Sequence, residues 1–135
     1  MGYQWSICDP LHKQLIQKGA IEREDIALTF KHYPWVSELA KLAKNPSDEI
    51  HYSPSIDFID ISNNRAITFS AVADNSGYVF YVFYQRPEQI KKWFGLVDRL
   101  EPKHVTDLLD QSFDSSQDLL NMFLNQEFNA LQKLF

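Results

Sequence analysis

The chain has 135 residues, a formal net charge of -5 at neutral pH and a single cysteine, Cys8. That length suits one domain over 1–135 with a core that needs no staples; one cysteine excludes an internal disulfide framework and a cysteine-based zinc site, and fits a reducing cytoplasm. No apolar run approaches the roughly 20 residues of a membrane span, the N-terminus lacks a signal peptide's basic and apolar regions, and the acidic excess repels phosphate backbones, so neither membrane nor nucleic acid is an expected partner.

Gly2 and Ser6 fit the N-myristoylation pattern, but so few specified positions match easily by chance. Asp9-Pro10 suits a helix start, since Asp caps free amides and Pro fits the first helical position; Leu11, Leu15 and Ile16 then share a face and Gly19 closes the segment. A second helix is expected over Glu22 to Phe30, broken by Tyr33-Pro34. Trp35, Val36, Leu39, Leu42 and Ala43 recur at helical spacing and predict a third, Pro34 to Lys44.

The centre of the chain reads differently. Ser55 to Ser62, Arg65 to Ala73 and Tyr78 to Tyr84 are rich in β-branched and aromatic residues, and Asn63-Asn64 and Asp74 to Gly77 punctuate them. This predicts a three-stranded antiparallel meander, with Ile50 to Pro54 as an optional fourth edge strand. A two-residue loop at Asn63-Asn64 would set Phe58 opposite Phe69 and Ile56 opposite Ala71, with Phe80, Val82 and Tyr84 on the same core face. The reverse face then carries Asp57, Ile59, Ile61, Thr68, Ser70, Val72, Val79, Tyr81 and Phe83. It is too apolar to be fully wet and too polar to be a second core, so partial cover by a helix is expected, with a partner as the alternative. Asp60 falls on the core side near the turn, where Arg65 or Arg86 would pair with it.

After Arg86-Pro87 the spacing of Ile90, Trp93 and Phe94 predicts a helix, and Glu101-Pro102 opens another with Val105, Leu108 and Leu109 inward. Ser115 to Asp118 is a weak capping box ahead of a long helix, Ser116 to about Leu134. Its stripe of Leu120, Phe123, Leu124, Phe128, Leu131 and Phe135 should lie on the sheet. The expected fold is therefore α+β, with N-terminal helices, a central meander, and C-terminal helices packed on one face.

No catalytic constellation is legible. His12, His32, His51 and His104 are scattered, which argues against a metal site; the four glycines are too dispersed to cradle phosphate; Asp57 and Asp60 have opposite strand parity. Cys8 near His12 lacks an oxyanion loop and reads as an idle thiol. Neither catalysis nor a cofactor is expected.

A small, acidic, cysteine-poor domain carrying SIDFIDISNNRAITFS and GYVFYVFYQRP between helices resembles the immunity proteins of bacterial polymorphic-toxin and contact-dependent growth inhibition systems. The likeness lies in Ile56 to Pro87, about a quarter of the chain. It implies a cytoplasmic protein that binds and neutralises a cognate toxin domain, often a basic nuclease, without catalysis. From Asp98 onward seven acidic residues face three basic ones, which makes Asp107, Asp110, Asp114 and Asp118 the leading toxin contacts, on one edge of two successive helices. The reverse sheet face around Asp57, Tyr81 and Phe83 is next. An acidic chaperone of the type III secretion kind and a small ligand-binding domain or enzyme are the alternative classes.

Overall fold

The computed structural model describes residues 2–92 and 97–135, and side chains outside 90–98. In chain order it contains β1 (Tyr3–Cys8), β2 (Ile16–Ile21), α1 (Arg23–His32), α2 (Trp35–Lys44), a 3-10 turn at Ser47–Glu49, β3 (Ser55–Asp60), β4 (Arg65–Asp74), β5 (Gly77–Lys92), β6 (Val97–Gln111), α3 (Phe113–Leu124) and α4 (Phe128–Leu134). The strands form one antiparallel sheet in the order β2-β1-β3-β4-β5-β6. The architecture is mixed α and β, but the expected three- or four-stranded sheet is corrected to six strands, and strand is its main component.

Two of the added strands lie at the N-terminus: β1 precedes the expected first helix, and a turn and β2 take its place. Tyr3, Trp5 and Ile7 alternate inward along β1 and pair with Asp60, Phe58 and Ile56 of β3, so an apolar period of two decides the strand. Asp9 does cap a free amide, but of a turn: its Oδ1 accepts from Leu11 N at 3.0 Å, and Asp9 O accepts from His12 N. The side-chain chemistry that starts helices also closes Asx turns, which is why Asp9-Pro10 misleads. Gly19 lies inside β2 at φ +87, beside the register shift at Trp5/Ser6, a backbone conformation glycine supplies.

The other two corrections are at Pro87 and Pro102. Both lie within strands, β5 and β6, where helices were expected. The β5–β6 ladder shifts register between Arg86 and Glu88, which puts Pro87 in a bulge, and Pro102 sits on an edge strand; these are the places where a sheet tolerates the missing N–H. Of the residues on which the first of those helices rested, Ile90 lies in β5, and Trp93 and Phe94 lie outside the described residues. β5 and β6 run on past the last β4 pair, Ala66 with Gln85, as a two-stranded ribbon.

α1 and α2 form where the spacing placed them. The long C-terminal helix is instead two: it breaks at Asn125 to Glu127, with Gln126 at φ 58. It also begins earlier, because Ser112 Oγ, not Ser115, accepts the capping bond, from Ser115 N at 3.0 Å. Residues 50–54 carry no strand, although Pro54 O accepts from Ala71 N.

The β3–β4 register differs by two residues from expectation. Ile56 lies opposite Phe69, Phe58 opposite Ile67 and Asp60 opposite Arg65, around a four-residue loop. Asp60 sets that loop, accepting from Asn63 N at 3.2 Å and Asn63 Nδ2 at 2.7 Å, while Asn64 takes φ 53. It is buried and pairs with neither expected arginine. Arg65 lies over the Phe128 ring at 4.2 Å and donates to Tyr84 Oη, whereas Arg86 pairs with Glu88 at 3.2 Å. An even shift leaves every side chain on its face, so Ile56, Phe58, Ile67, Phe69, Ala71, Phe80, Val82 and Tyr84 remain the core face, all fully buried.

Every helix contributes to the core on that face: Ile26 and Phe30 from α1, Trp35 from α2, Leu119, Leu120 and Phe123 from α3, and Leu131 from α4. Phe30 is central, with ring centroids 4.7 Å from Phe69, 5.3 Å from Phe80, 5.6 Å from Trp35 and 5.4 Å from Phe113. Phe69→Ala should cost about 3 to 5 kcal/mol of stability, because it empties a buried site between Phe30 and Phe80. Urea denaturation measures this, and an unchanged midpoint would contradict the packing.

Candidate functional site

Among the described residues no helix lies on the other face of the sheet. Residues that pair across strands share a face, so the ladders place Ser6 beside Asp57, Asp57 beside Thr68, Thr68 beside Phe83 and Phe83 beside Asp107 in one row across five strands counted from β1 to β6. Flanking rows carry Ile59, Ala66, Gln85 and Val105 on one side and Ser70 and Tyr81 on the other, with Val72 and Val79 beyond. Ile59, Val72, Val79, Tyr81 and Phe83 are half-buried and Val105 is 48% exposed, and none belongs to the core. The expected partial cover of this face by a helix is therefore corrected: among the described residues no helix lies on it, although Ser6, Ser55 and Ala66 within it are buried.

A concavity of about 360 Å³ lies in this face, lined by Asp57, Ile59, Asn64, Ala66, Thr68, Phe83, Gln85, Lys103 and Val105, all from strands and one turn. Asp57 is its unusual member, since aspartate is depleted in strand interiors. Thr68 Oγ1 donates to its Oδ1 at 2.7 Å. No lysine, arginine or histidine among the described residues forms an ion pair with it, and burial, only partly offset by the Thr68 bond, raises its carboxyl pKa above the ordinary value. Next to it, Ser6 is fully buried and its Oγ has no hydrogen-bond partner among the described residues. Both groups carry a desolvation cost without full compensation.

The four leading acidic candidates do not share an edge. Asp107 is on β6, on the open face next to Phe83, and Asp110 ends that strand in a left-handed conformation at φ 56. Asp114 is in the first turn of α3, on the helical side, and Asp118 lines a small cleft there with Ala27, Leu120 and Asn121. All four are exposed, and the structure divides them between two faces. Asp57, Tyr81 and Phe83, by contrast, lie in adjacent rows of one surface. Sequence reasoning missed Ser6, Lys103 and Val105 as members of it. The alternation of Tyr3, Trp5 and Ile7 would have put Ser6 on the opposite face, whereas Val105 had been placed inward on a helix.

Other polar clusters have structural work. Asp9 accepts from Lys41 at 3.0 Å and lies 3.4 Å from His12, while Lys41 also pairs with Glu38 at 2.6 Å. This joins the β1–β2 turn to α2; burial raises the Asp9 pKa, but the Leu11 N–H, Lys41 and His12 outweigh it, for a net lowering. Cys8 lies on the open face opposite Ser55, and burial, followed by the charge of Asp57, pushes its thiol pKa up, which leaves it a weak nucleophile. Among the described residues no three His, Cys, Asp or Glu side chains converge as metal ligands, and no helix is long and apolar enough to cross a membrane. A second groove, about 620 Å³ and open, runs beside Tyr33, Trp35, Val36, Tyr78 and Phe113 at the sheet's other end.

No protein-family model matches the chain, and no curated protein or solved structure is detectably similar to it.

A carboxylate whose native pKa is raised binds a proton more readily in the folded state than in the unfolded one, so its charge destabilises the fold above the native pKa and ceases to do so below the unfolded one. Asp57→Asn should therefore raise the denaturation midpoint at neutral pH, with the gain fading as pH falls through the raised native pKa. Paired melts across that range test this; a loss of stability at neutral pH would mean that the charge has an internal partner.

Proposed function

We propose that the protein is an immunity protein that binds a cognate bacterial toxin domain and blocks it without catalysis, using the open face of the sheet around Asp57, Tyr81 and Phe83. The single observation that supports this reading is the placement of all four helices on one face, which leaves an apolar surface with a half-buried carboxylate on the other. Monomeric proteins rarely leave such a patch without use. A concavity holding Phe83 and the Asp57 charge, with Tyr81 in the adjoining row, also suits an interface hot spot.

The chain's net charge of -5 favours a basic partner and a fast, salt-sensitive encounter. Asp107, on the same face, would steer that approach; Asp114 and Asp118, on the helical side, would not touch the partner. Asp114 has its own role at the positive end of α3.

The test is to express, in a bacterium, the C-terminal domain encoded by the open reading frame immediately upstream of this gene, alone and together with this chain. Growth arrest relieved by the chain is the expected result. Tyr81→Ala combined with Phe83→Ala should weaken the purified complex about thirtyfold, the equivalent of roughly 2 kcal/mol for a hot-spot pair. Unrelieved arrest, or a double variant that binds as tightly as the parent, would overturn the reading. A stable dimer through the same face in sedimentation would favour the secretion-chaperone alternative instead.

A further inference from the structure

We infer that the concavity over Asp57 is a receptor for one arginine side chain presented by the protein partner. The inference rests on the open face being a docking surface and names what that surface recognises. The Asp57 carboxylate has one oxygen held by Thr68 Oγ1 at 2.7 Å, and no lysine, arginine or histidine among the described residues, Lys103 of the same concavity included, forms an ion pair with it. Around it the walls are of two kinds. Ile59, Ala66 and Val105 offer apolar surface for an aliphatic stem, and Phe83 offers a ring face to a planar cation. A guanidinium fits this combination better than an ammonium, because it is flat, weakly hydrated and able to donate to the carboxylate while stacking.

The acidic chain as a whole attracts such a group. Lys103, on the rim of the same concavity, opposes it. An unpaired carboxylate that costs the free protein stability is what a site awaiting an external cation would carry.

N-Butylguanidinium chloride serves as the probe, titrated into isotope-labelled protein, with n-butylammonium chloride and n-butanol in parallel. The expected result is a saturable shift of the Asp57 carboxyl carbon and of the Thr68 and Phe83 amides, with butylammonium weaker and butanol silent. Asp57→Asn, nearly isosteric and checked for an intact amide spectrum, should weaken binding about tenfold, and Lys103→Ala should tighten it. Shifts that never saturate, shifts that persist unchanged in Asp57→Asn, or an equal response to butylammonium would overturn an arginine receptor. The two readings fail separately: unrelieved growth arrest with saturable butylguanidinium binding removes the toxin and keeps the receptor. Relief of arrest with no butylguanidinium response removes the receptor and keeps the toxin.

Discussion

Phe30 meets Phe69 and Phe80 of the sheet together with Trp35 and Phe113 of the neighbouring helical segments, and this cluster of four ring pairs seats the helices on that face of the sheet. Each such pair adds about 0.5 to 1.5 kcal/mol beyond the burial itself. Because α1 and α2 are joined by only Tyr33 and Pro34, and Trp35 Nε1 donates to Phe30 O at 3.0 Å, docking Phe30 docks both helices. α3 then follows through Phe113, and Arg65 beneath Phe128 holds α4. The buried apolar residues of all four described helices lie on that one side; Leu28, Val36 and Leu134, which do not, face solvent.

That one-sidedness matches the alternation along the strands themselves. A six-stranded sheet covered on both faces would need continuous apolar strands, whereas β3 and β4 alternate Ile56, Phe58, Ile67 and Phe69 inward with Asp57, Ile59, Thr68 and Ser70 outward. The outward set is neither polar enough for water nor apolar enough for a core. Asp57 and Ser6, adjacent in the row and short of partners, mark where the mismatch is greatest.

The meander and its two faces were legible because strand parity survives errors of register: the two-residue shift between the expected and the found β3–β4 pairing moves no side chain across the sheet. α1 and α2 were legible because helical spacing ran without competition. The N-terminal hairpin was not, since Asp9-Pro10 satisfies a turn as well as a helix start. The β5–β6 ribbon was hidden by prolines that read as helix openers and lie in a bulge and on an edge. The misplacement of Asp107 and Asp110 follows from that second error. Once β6 is a strand, their spacing no longer sets them on one helical face, and Asp107 joins Asp57 while Asp118 stays with the helices. The open face itself was half legible: its residues were named and the core face opposite was identified, but nothing in a linear pattern says that no helix also covers the reverse side.

Hydroxyl-radical footprinting of the free protein tests the one-sided arrangement most directly, because it reads side-chain exposure ring by ring. Tyr81 and Phe83 should be oxidised readily, and at a rate independent of protein concentration, while Phe58, Phe69 and Phe80 on the opposite side of the same strands stay protected. Protection of Tyr81 and Phe83 equal to that of Phe80 in dilute protein would contradict the open face.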